Sequence, residues 1–118
     1  MRSWVTQSVY VANNRQLEGD AAHAATALTD AAASGAELRT VCAVLDLEST
    51  EANSSLPTPD NETTNLLGHA YGALGTAANE CYDAGTNAAL RAKALAALGR
   101  GVAGLAEASA RITSVLGS

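Results

Sequence analysis

Apolar residues recur at alternating steps of four and three from Leu17 to Leu45: Leu17, Ala21, Ala24, Leu28, Ala31, Gly35, Leu38, Cys42 and Leu45. A sustained 3.5-residue repeat is the mark of a helix packed side by side on other helices. Two further seams follow, Leu67-Tyr71-Leu74-Ala78-Cys81 and Leu95-Leu98-Val102-Leu105-Ser109-Ile112-Leu116. The expected fold is therefore all-α, an antiparallel bundle of three to four helices formed as one domain over residues 1–118.

Punctuation along the chain sets the expected boundaries. A helix opens near Ser3 and carries Trp4, Val5, Val9 and Tyr10. Glu18-Gly19-Asp20 reads as a break or kink, with Gly19 as a C-terminal cap and Asp20 as the next N-cap. Without that break, a helix over residues 4–48 would extend about 67 Å, against about 36 Å for the next one. Ser34-Gly35 is the weaker interruption, and the seam crosses Gly35 in register. The long helix ends near Glu48 to Thr50. Residues 51–60 hold both prolines and read as an exposed loop in which Leu56 contributes little. Asp60 then caps a helix that runs to about Ala84, Gly85-Thr86-Asn87 makes a tight turn, and the last helix continues to Leu116 with Glu107 and Arg111 paired at i, i+4.

Composition narrows the functional classes. The chain has 118 residues, no Phe and only 3% aromatics, so an apolar content of 47% is mostly alanine and leucine. Such a core is thin, and self-association is one remedy. The apolar N-terminal residues Trp4, Val5, Val9 and Tyr10 need a cover, from the same chain or another. They are the candidate interface, and a homodimer is the expected partner state. Net charge is −5, which disfavours nucleic acid and anionic membranes. No apolar run approaches a membrane span. Thr6, Gln7 and Ser8 interrupt any signal-peptide core, so the cytoplasm is the default compartment, with non-classical export left open. The excess of Arg over Lys, with abundant Ala and Gly, carries the imprint of a GC-rich bacterial genome. Basic residues collect in the last helix, which is expected to lie against acidic neighbours.

Few motifs carry chemistry. Gly99-Arg100-Gly101-Val102-Ala103-Gly104 has the letters of a dinucleotide fingerprint, but no strand precedes it and no βαβ unit surrounds it. Its glycines, like those of Gly68-His69-Ala70-Tyr71-Gly72, read as points of close helix approach. Asp20-Ala21-Ala22-His23 has one carboxylate–histidine spacing of a di-iron bundle and lacks the second. No cofactor, metal or catalytic group is assigned. A hairpin turning with Glu48 opposite Asn61 sets Cys42 opposite residue 67 and leaves Cys42 and Cys81 about 20 Å apart, as free thiols. The same register brings His69 near Cys42, so His69, Tyr71 and Cys42 are the candidate pocket for a small apolar ligand.

The only Trp stands in Trp4-Val5-Thr6, and Tyr10, Tyr71 and Tyr82 are followed at +4 by Asn14, Gly75 and Thr86. In size, alanine content and helical-hairpin design the chain resembles the WXG100 proteins exported by type VII secretion. It departs from their W-x-G turn and from their Y-x-x-x-D/E tail. The resemblance is architectural, and it implies an exported helical protein. The leading functional expectation is a non-enzymatic protein acting through protein contacts, with apolar-ligand binding as the alternative.

Overall fold

A computed structural model describes residues 1–118 as five helices and no strands: α1 (Arg2–Gln7), α2 (Tyr10–Thr29), α3 (Gly35–Asn53), α4 (Asn61–Ala84) and α5 (Ala88–Leu116). Successive long helices pack as neighbours, α2 on α3, α3 on α4 and α4 on α5, and α5 returns to α2 to close the ring. The rod measures 48 × 20 × 16 Å. No helix is long and apolar enough to cross a membrane.

The break in the long seam falls between residues 30 and 34, not at Gly19, which lies inside α2. Local chemistry explains the choice. Ser34 accepts a hydrogen bond from the Glu37 N–H at 3.1 Å, the N-terminal half of an S-x-x-E capping box. Asp30 turns its own side chain to the Ala32 N–H at 2.9 Å. The five-residue connection preserves heptad phase, so Leu28 and Leu38 both enter the core while Ala31 between them is exposed. A break further upstream sets α1 apart, and α1 folds back on its own chain. Tyr10 is buried, Trp4 stacks on it with ring centroids 5.3 Å apart, and Val5 packs against the core. Of the four candidate interface residues only Val9 is largely exposed.

The α3–α4 register also departs from expectation. Helix α3 runs on to Asn53, and the first two turns of α4 reach past its end, with residues 54–60 folded back along them. Leu56 lies against Gly68, Ser49 against Gly75 and Gly35 against Gly85. Leu56 is therefore packed on the core rather than free in an exposed loop. Thr58 is buried, its N–H donating to Thr64 Oγ1 at 2.9 Å. Cys42 consequently faces Cys81. Their Cα atoms are 5.9 Å apart and they form a disulfide, a separation typical of such bridges. The expectation of free thiols about 20 Å apart is overturned by a slide of roughly four turns between the two helices.

At the start of α4, Asp60 caps as expected, accepting from the Thr63 N–H at 3.0 Å. Asp60 also receives Arg111 from α5 at 3.0 and 3.1 Å, and Arg111 reaches Glu62 at 3.3 Å. Arg111 thus spends its donors on α4 and not on Glu107. Lys93 approaches Glu80 at 3.8 Å, so the basic last helix does lie against acidic positions of α4.

Candidate functional site in the groove between α2 and α5

The site begins with glycines. On α5 the buried stripe is Arg91-Ala94-Leu98-Gly101-Leu105-Ala108-Ile112, which is again a heptad but is turned toward α4 relative to the Leu95-Val102-Ser109 positions expected to be inside. The cause is close approach. A Cβ added at Gly101 would lie 2.7 Å from Leu74 Cδ2, and one at Gly104 would lie 3.1 Å from the Ala70 Cβ. Glycine at these two places lets α5 press onto α4, and the rotation leaves Leu95 half-buried at the margin of the core and Val102 exposed.

Those two residues then line a groove on the α2 side. Its central part, about 410 Å³, is walled by Ala21, Ala22 and Ala25 of α2 and by Leu95, Leu98 and Val102 of α5, with Glu18 and Gly99 at its edges. Every wall residue is apolar, and the small side chains of α2 leave the space open. Toward the other end a second hollow, about 330 Å³, holds Leu28, Thr29, Thr86, Ala92 and Arg91. Leu95 lines both hollows, so they adjoin along the α2–α5 seam. Volumes of this order are those of small-molecule sites.

Arg91 lies at the end of the seam nearest the α4–α5 turn. It is only 7% exposed and donates Nε to the Gly85 carbonyl at 2.8 Å, Nη1 to that of Asp30 at 3.0 Å and Nη2 to that of Ala33 at 2.6 Å. These carbonyls lie at or just beyond the C-terminal ends of α2 and α4, where the helix dipoles favour a cation. One side chain thereby ties the α2–α3 connection to the α4–α5 turn. Sequence reasoning counted Arg91 only as part of a basic last helix. Its position one turn after the Asn87 N-cap was the available signal.

The three residues expected to share a pocket do not. His69 is exposed on α4. Cys42 lies in the disulfide beside a shallow crevice shared with Asp46 and Tyr82. Tyr71 borders a separate hollow with Ser49, Asn53 and Gly75. The Tyr71 hydroxyl is buried with no hydrogen-bond partner, and burial pushes it far above the usual phenol range, with Tyr10 adding to the effect. Burial likewise raises Tyr10 and, with help from Glu51 and Asp20, Glu48. His23 and His69 stand on different helices, and nowhere do three His, Cys, Asp or Glu side chains gather as metal ligands.

No protein-family model matches the chain, and neither a curated protein nor a solved structure shows significant similarity to it.

Proposed function

We propose that this chain is a non-enzymatic helical binding protein whose α2–α5 groove receives an apolar ligand. The observation that supports this reading is the pair of adjoining hollows along the α2–α5 seam, whose central part is walled by Ala, Leu and Val side chains. Exposed apolar area of this kind is retained where something covers it. The test is a titration with an apolar fluorescent probe such as anilinonaphthalene sulfonate, comparing the natural chain with Gly99→Leu. A Cβ at Gly99 meets nothing within 4 Å, so the larger side chain starts from open space at the edge of the groove. Saturable binding that disappears in Gly99→Leu is expected. Equal binding by both proteins would defeat the reading.

A second reading, action through protein contacts as a homodimer, draws on a different surface. Val44 and Leu47 are 44% and 60% exposed, one turn apart on α3, which packs chiefly on α2 and α4. Pairing of two copies through this face would cover both residues. Sedimentation equilibrium at micromolar concentration should then give a dimer that Leu47→Glu converts to monomer.

The disulfide bears on the compartment. Structural disulfides persist in oxidising surroundings and are rare in the cytosol of mesophiles. The Cys42–Cys81 bridge accordingly favours export over the cytoplasmic residence expected from the N-terminal residues, in line with the architectural resemblance to exported helical proteins.

A further inference from the structure

We infer that the ligand of the groove is a long-chain aliphatic molecule with a carboxylate head, the head at Arg91 and the tail running toward Val102. The inference rests on the groove reading above and adds the class of head group and the orientation.

The charge of Arg91 carries the argument. A guanidinium has five N–H donors, and three are taken by the carbonyls of Gly85, Asp30 and Ala33. Two remain on a side chain that is almost wholly buried and lines the hollow. No carboxylate of the chain lies within 4.0 Å of it. Asp30, the one acidic residue among its partners, directs its carboxylate to a backbone N–H. Carbonyl dipoles hold the guanidinium in place but supply only partial charge. A bound carboxylate would complete the pairing with the fork geometry that arginine favours. The first turn of α5, beginning at Ala88, borders the same hollow and adds the positive end of a 29-residue helix.

Length and polarity agree. Arg91 and Val102 are eleven positions apart on one helix, about 16 Å along its axis. An extended aliphatic chain of roughly a dozen carbons covers that distance, given C–C bonds of about 1.5 Å in zigzag. The far end carries Glu18, whose Oε1 accepts from Asn14. A carboxylate head is repelled there and attracted at Arg91, so the cleft accepts the molecule one way round.

The experiment is isothermal titration calorimetry of the full, oxidised chain with decanoate, decan-1-ol and decylamine, each below its aggregation threshold. Decanoate should bind about tenfold or more tighter than the alcohol, the range expected for a charged hydrogen-bonded pair. That advantage should shrink in Arg91→Gln, and Gly99→Leu should abolish binding of all three. Equal binding of acid and alcohol in the natural chain, both lost in Gly99→Leu, would overturn the head-group assignment while leaving the apolar groove intact. Tighter binding of decylamine would overturn it as well. No binding of any probe, or binding that survives Gly99→Leu, would overturn both. The acid–alcohol comparison uses the natural chain alone, so it decides the matter even where Arg91→Gln fails to fold.

Discussion

At the scale of single residues, the glycines of α5 make opposite predictions at neighbouring positions. Gly101→Ala replaces a poor helix former, a gain of about 0.5–1 kcal/mol, but drives a methyl into Leu74 Cγ at 2.8 Å and toward the α4 backbone. Overpacking of a filled core costs about 1–3 kcal/mol, so a net loss is expected. Gly99→Ala has open space and should stabilise by about 0.5–1 kcal/mol. Thermal melts of the two variants should move in opposite directions. Tyr71 gives a third case. Its buried hydroxyl has no partner, so Tyr71→Phe should cost little or stabilise. Because the folded phenol is held protonated above the usual range, stability should fall as pH rises beyond about 10, where the unfolded chain begins to ionise. Tyr71→Phe should soften that decline in urea melts across pH 8–11. Asp60 works in the other direction. Arg111 first, then Thr63, hold its carboxyl well below the usual carboxylate range. Its contribution is complete above about pH 4 and fades as acid protonates it. Asp60→Asn should therefore flatten the acid limb of the stability profile.

At the scale of elements, leucine truncations test the redrawn register. Leu28→Ala and Leu74→Ala should each cost about 2–5 kcal/mol. Leu56→Ala, half-buried against Gly68, should cost about 1–2 kcal/mol, well above the effect of an exposed loop residue. The bridge between α3 and α4 closes a loop of 39 positions, worth about 4 kcal/mol on a chain-entropy account. The intact mass of the unreduced protein should fall two hydrogens short, and reduction should lower the melting temperature. Helix existence, the caps at Asp60 and Asn87, the Gly85 turn and the α4 seam were legible because each is local chemistry written in a few adjacent residues. The α2–α3 break was legible too, in Ser34-x-x-Glu37, but the in-phase heptad concealed it. The α3–α4 slide was not legible. It depends on how residues 54–60 fold against α4, and loop length alone does not reveal that. The groove escaped notice for a related reason. Leu95 and Val102 look like core positions until Gly101 and Gly104 are seen to pull α5 toward α4.

At the scale of the whole molecule, the ring of helices is uneven. α4 is clamped to α5 by glycine contacts and the Arg111–Asp60 pair, and to α3 by the disulfide. Helix α2 has neither kind of clamp. Its ties are ordinary side-chain packing on α3, the Arg91 bond to the Asp30 carbonyl and a more open seam on α5. Free energies of local opening follow such differences. Amide exchange should therefore be slowest in the middles of α4 and α5 and fastest in α1 and along α2, with the α3 amides near Cys42 in between. The open seam is then also a line along which α2 can part from α5 while the bridged three-helix remainder stays folded. A molecule filling that line would slow exchange in α2 more than anywhere else.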